Sequence, residues 1–175
     1  MTEQTKSKYQ KTYTSFSGTD IVASITPPGG RPIVFGELQT LSYSIHRDKF
    51  PVRTLGHINP RDFVYGGRTI AGSMIFTVFD RHILKNAIAT SFSPKNNPYE
   101  INKSDYDEMM HRMVTDEMPL FDVTLTFHNE YGQASSMSIL GVTIVDEGQV
   151  MSIEDMMTET TCSYMALDIQ LMYPL

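Results

Sequence analysis

The chain contains one cysteine, Cys162, and no tryptophan, and only 19% of its 175 residues are charged. A lone cysteine permits no internal disulfide and no cysteine-based metal cluster, which fits synthesis in a reducing cytoplasm. Long apolar runs are missing as well. No stretch would span a bilayer, and the N-terminal MTEQTKSKYQKTYTSFSGTD carries lysines without an apolar segment after them. Neither a membrane span nor a secretory signal is therefore expected. The low share of charge suggests that part of the surface is covered by partners.

Signatures of catalysis are equally scarce. His46, His57, His82, His111 and His128 are scattered, with no HExxH pair and no His/carboxylate triad at ligand spacing. There is no GxSxG, and Gly29-Gly30, Gly66-Gly67 and Gly72 form neither a P-loop nor a GxGxxG. The pairs Asp116/Glu117, Asp146/Glu147 and Glu154/Asp155, with Asp105/Asp107/Glu108, read as solvated acids, because neighbouring residues of a strand face opposite ways. Cys162 has no cation beside it in sequence and reads as a buried, inert thiol. The chain is expected to be no enzyme and to need no cofactor or metal.

What is present is strand. Phe121, Val123, Leu125 and Phe127 alternate with Asp122, Thr124, Thr126 and His128, the period of a half-buried strand, and NEYGQ then turns the chain. On the return, Met137 and Ile139 share one parity and Leu140, Val142 and Ile144 the other, so Gly141 marks a bulge or a switch of face. Met165, Leu167, Ile169, Leu171 and Tyr173 line one face of a last strand. Earlier, TDIVASITP reads as a strand closed by a Pro-Pro-Gly-Gly turn, and Pro32 to His46 as a long strand or bent pair with Gly36 as a candidate bulge. Helices are expected at DRHILKNAIAT, capped by Asp80, and from Ser104, where Tyr106, Met109, Met110 and Met113 fall at helical spacing. MSIEDMMTET reads as a loop or single helical turn. The length suits one domain, assigned to residues 19–175 behind a polar leader, residues 1–18. The class is α+β: a mainly antiparallel β-barrel or sandwich, flanked by one or two helices, with a long inter-strand arm.

That arm separates the strand before residue 46 from the β-rich RTIAGSMIFTVFD. Its sequence, RDKFPVRTLGHINPRDFVYGG, is too broken by Pro51, Pro60, Gly56 and Gly66-Gly67 to be strand or helix throughout. Long connections of this kind are usually functional. Arg47, Lys49, Phe50, Arg53, His57, Arg61, Phe63 and Tyr65 supply the arginines and aromatic rings that interfaces favour, and we assign them to a subunit interface. Charge follows the same division. Residues 31 to 85 hold eight Lys/Arg against four acids, whereas residues 86 to 175 hold three against fourteen. Two solvated faces would account for this, as would a basic arm that meets the acidic half of a neighbouring copy.

The segments SYSIHRDKFPVRTLG, GGRTIAGSMIFTVFD, GQVMSIEDMMTE and SYMALDIQLMY resemble virion structural proteins of long-tailed bacteriophages that have the tail tube fold, over roughly residues 30 to 173. The resemblance implies a subunit whose sheet closes with its neighbours' into a ring, commonly of six. Such rings stack into the tube through which DNA passes without sequence-specific contact. Sheath, baseplate or neck proteins would be its partners and the virion tail its location. A tube initiator or terminator is the alternative within that group. A soluble β-rich binding module is the alternative outside it.

Overall fold

The computed structural model describes residues 16–78, 82, 84–85, 108, 112–129, 132–151, 153 and 157–175. They form one antiparallel sheet of seven strands: β1 (Ile21–Thr26), β2 (Ile33–Phe35), β3 (Leu38–Val52), β4 (Asp62–Thr77), β5 (Phe121–His128), β6 (Ala134–Val150) and β7 (Glu159–Pro174). The strand order is β2-β1-β5-β6-β7-β4-β3. The first and last strands of that order are consecutive in the chain, joined only by Gly36 and Glu37. Three Cα steps reach at most about 10 Å, so the sheet must curl until its two edges meet. The Phe35 and Phe76 rings pack edge to face across that seam, with centroids 5.5 Å apart. The result is a barrel-like sheet around one core.

Sequence pattern sets that core directly. In β5 the four alternating apolar residues are all buried, while Asp122, Thr124 and Thr126 between them are half-buried and His128 is exposed. Each such side chain contributes roughly 1.5–3 kcal/mol on leaving water. The change of face expected at Gly141 is present. Met137 and Ile139 are buried before it and Val142 and Ile144 after it, while Gly141 has φ of 62° and donates its N–H to Asp122 Oδ1 at 2.8 Å. A side chain is disfavoured at such a φ, which is why glycine occupies the switch. Pro32 to His46 proves to be a bent pair, with Gly36 in the link between the barrel's two edges.

Other expectations change. The arm is regular structure: β3 runs through Pro51 to Val52 and β4 starts at Asp62, leaving only residues 53–61 as loop. Pro51 is tolerated because β3 is an edge strand, with no ladder on its outer side for the missing N–H to disrupt. The apolar face of β7 is largely uncovered, with Met165, Leu167, Leu171 and Tyr173 all exposed. Phe16, inside the stretch assigned to the leader, packs on Phe127 with centroids 5.6 Å apart. Most of both expected helices lies outside the described residues, as do residues 1–15 and, within the 151–160 segment, residues 152 and 154–156, and no α-helix is delineated among the residues described. Met113 packs against the core. Two 3₁₀ turns, Gly18–Asp20 and Thr115–Glu117, complete the described elements.

Candidate assembly interface

β4 pairs with β7 from Thr77↔Glu159 to Ile70↔Ala166 and no further. Beyond Ile70 it stays paired with β3 alone, out to Val52↔Asp62. The arm is therefore a two-stranded ribbon that peels off the barrel, and an isolated ribbon is marginal in water unless something covers it. Its root carries a bulge: between Arg47↔Arg68 and Lys49↔Tyr65, Asp48 alone opposes Gly66 and Gly67. Gly66 fits a crowded point, since a Cβ there would lie 2.9 Å from that of Asp48, whereas Gly67 has open space around it. Bulges bend and twist a strand, which turns the arm away from β7.

The eight residues assigned from sequence all lie on this ribbon or its loop. Arg47 and Lys49 converge on Tyr65, their charged groups 4.8 and 5.7 Å from the ring centre. Arg47 Nε also donates to the Gly66 carbonyl at 3.3 Å. Arg61 Nη2 lies 3.2 Å from His57 Nε2, and the Arg61 N–H closes the loop on the Val52 carbonyl at 2.9 Å. Directly paired residues share a face. Phe63 and Tyr65 therefore stand with Lys49 and Pro51, while Phe50 faces the other way beside Val64. Arg53 lies in the loop. Two aromatic rings on one face and a third on the other give the ribbon two adhesive sides.

Sequence reading missed four apolar residues here: Val52, Leu55, Ile58 and Val64, all exposed. Leu55 and Ile58 stand fully in solvent at the tip. A loop of Gly, Asn and Pro offers them nothing to pack on, which was the available signal. Also missed was the outer edge of β7 from Leu167 to Pro174. There β4 has departed and β6 is the only strand paired with it among the described residues. An open strand edge carrying exposed Leu167, Leu171, Met172 and Tyr173 is a template for another strand.

Among the described residues no buried side-chain nitrogen or oxygen lacks a hydrogen-bond partner. His82 Nε2 meets Glu147 Oε1 at 2.7 Å, and the Thr115 hydroxyl donates to the other oxygen of that carboxylate. Cys162 is buried, and burial first, with the charges of Glu147 and Asp146, pushes its thiol up to about 12. A thiol so held is a poor nucleophile. Among the described residues no three His, Cys, Asp or Glu side chains gather as metal ligands would.

No protein-family model matches the sequence, and no curated protein does. Solved structures do match. A chain of the anti-feeding prophage tube-terminating cap superposes with a TM-score of 0.60 at 10% identity, covering 93% of both chains. A chain of the sheath–tube complex of an extracellular contractile injection system gives 0.58 at 10% identity, covering 98% of this chain and 100% of that one. The SPP1 tail tube gives 0.54 at 12% identity, covering 92% and 80%. This chain has the fold of tail tube and tube-terminating proteins.

Proposed function

We propose that this protein is a self-assembling structural subunit of a phage-type tail, closing into rings, of six by analogy, that stack into a tube. The observation that carries the reading is the coincidence of that fold with surfaces it leaves unfinished: a ribbon with apolar residues on both faces and an open, apolar β7 edge. Burying even a few of these side chains between copies is worth roughly 1.5–3 kcal/mol each, enough to drive association repeated around a ring. The role is structural, with no catalytic step. DNA would pass through the lumen, and the net charge of −6 suits a wall from which phosphate slides free. Sheath, baseplate or neck proteins would contact the outside and ends, and the mature location would be the virion tail.

A second reading shares the likeness to a tube-terminating cap: a ring that stops growth instead of extending it. Negative-stain microscopy of the purified protein over a range of concentrations separates the two. Tubes that lengthen with concentration support the tube subunit, and single rings that never stack support the cap. A monomer at every concentration overturns both.

A further inference from the structure

The described methionines divide into two sets. Met74, Met118 and Met137 are buried in the core, and Met113 packs against it. Met151, Met157, Met165 and Met172 are between 44% and 74% exposed. No other described sulfur is open to solvent, because Cys162, the only thiol, is buried. The chain has no tryptophan either. An oxidant in solution therefore meets these thioethers first.

The exposed four sit in two places. Met151 and Met157 lie in the loop between β6 and β7. Met165 and Met172 belong to the uncovered part of β7. Met165 is paired with Thr143 on one side and Ala71 on the other, next to the buried Tyr164. Neighbours in a strand face opposite ways, so Met165 stands on the outer face of the sheet. Met172 lies beyond Ala166, where β4 has left, between exposed Leu171 and Tyr173. Leu167 and Leu171 in the same strand show that an unreactive aliphatic side chain serves there. A thioether gives similar apolar bulk and adds one property: its sulfur can take up an oxygen atom.

Resting on the tube reading above, we propose that Met165 and Met172 are sites of reversible sulfoxidation, which holds free subunits out of assembly. With hydrogen peroxide as oxidant, a sulfur lone pair attacks one peroxide oxygen, the O–O bond breaks, an S–O bond forms and water leaves. The thioether is oxidised to a sulfoxide and the peroxide is reduced to water. A dithiol reductant acting through methionine sulfoxide reductase reverses the change, returning the thioether together with a disulfide and water. In the free subunit both sulfurs face water, so the added oxygen leaves the fold undisturbed. Covering β7 with a neighbouring copy strips water from that oxygen, which opposes the contact. Once β7 is covered the same sulfurs are shielded, so the modification acts on unassembled copies.

Peroxide treatment, read by peptide mass spectrometry and light scattering, tests the assignment. Unassembled protein should gain oxygen at Met165 and Met172 with its melting temperature unchanged, and its assembly rate should fall by about tenfold or more. Methionine sulfoxide reductase with dithiothreitol should restore the rate. Tubes already formed should keep both thioethers. Met165→Leu combined with Met172→Leu nearly conserves volume and should assemble at the wild-type rate with or without peroxide. Met151→Leu combined with Met157→Leu should stay sensitive. Oxidised protein that assembles undiminished, or a Met165→Leu/Met172→Leu variant as sensitive as wild type, overturns this inference and leaves the tube reading standing. Equal oxidation of tubes and free subunits at the two positions overturns it too. Untreated wild-type protein that forms neither rings nor tubes brings down the tube reading itself.

Discussion

The hydroxyl of Tyr164 donates a 2.9 Å hydrogen bond to the carbonyl oxygen of Ser42, crossing β4 directly above Gly72. The bond ties β7 to β3 across the strand between them, at the level where the arm begins to separate. A Cβ on Gly72 would lie 2.0 Å from that same carbonyl oxygen and 2.7 Å from the tyrosine hydroxyl. Gly72→Ala must therefore move backbone, and should cost about 2–4 kcal/mol in a denaturant titration of the monomer. Tyr164→Phe loses one hydrogen bond and should cost about 1–2 kcal/mol. Equal losses from the two variants would mean that the space above Gly72 is not what requires glycine.

Alkaline pH should weaken the same region. Burial, then Tyr43, pushes the Tyr164 hydroxyl up to about 12 from an ordinary 10.0, and Cys162 rises to about 12 from 9.0. In both, the folded state holds a proton that the unfolded chain has released, so stability is intact below pH 9 and falls as pH rises from 9 towards 12. Chemical denaturation at a series of pH values should show the decline. Cys162→Ala should remove the part that begins at pH 9, and an unchanged curve in that variant would exclude the thiol as its source.

Replacing residues 48 to 64 with a short Gly/Ser linker should leave a folded monomer that no longer assembles. The barrel core contains no residue of that segment. Circular dichroism and light scattering on one sample check both halves of the expectation. Tubes formed by the shortened protein would show that the arm is not the joint.

Removing residues 1 to 15 should shift the melting temperature of the monomer little, because Phe16 and its contact with Phe127 remain. Phe16→Ala, by contrast, should cost about 1–3 kcal/mol, less than truncation of a fully buried phenylalanine. A large loss on removing residues 1 to 15 alone would place that segment in the core.

Assembly should slow with salt. The screening length falls from about 10 Å at 0.1 M to about 3 Å at 1 M, which weakens attraction across an exposed rim and spares apolar burial. Reversing Arg53 and Arg61 together to Glu should slow tube growth at low salt, and a compensating Lys at the contacting acid should restore part of the rate. Rates indifferent to both salt and reversal would leave the joint to Leu55, Ile58 and the aromatic rings alone.

Legibility in the sequence followed burial. Strand β5 was plain because its alternation answers to one core, and Gly141 was plain because a change of parity leaves a mark in the apolar pattern. The ribbon was hidden because every residue from Ser42 to Arg61 is exposed, so no face of β3 beyond Leu41 alternates against a core, and Pro51 reads as a breaker unless the strand is known to be an edge. The apolar residues of β7 misled in the opposite sense, since a pattern that normally marks burial within the chain here marks a surface left open. Arg47, Lys49 and Tyr65 stood out through composition, and the ribbon brings them together. The apolar cavity of about 140 Å³ lined by Phe76, Leu84, Gln149 and Cys162 left no mark in the sequence, because these residues become neighbours only when β4, β6 and β7 are side by side.

Strand β7 comes last in chain order yet sits between β6 and β4. The pairs β1–β2, β3–β4, β5–β6 and β6–β7 are local hairpins, whereas β1 must find β5 about a hundred residues away and β4 must find β7 across nearly as many. Local pairs form before distant ones, because closing a long loop has an entropic cost before its contacts form. The arm, a local hairpin, can thus take shape early, while the cavity exists only once β7 has joined β4. Pulse-labelled hydrogen exchange during refolding should find Tyr43 to Ile45 protected before Thr160 to Tyr164. In that sequence of events an incomplete chain would present its arm before its barrel had closed, so growth would wait on the completed barrel.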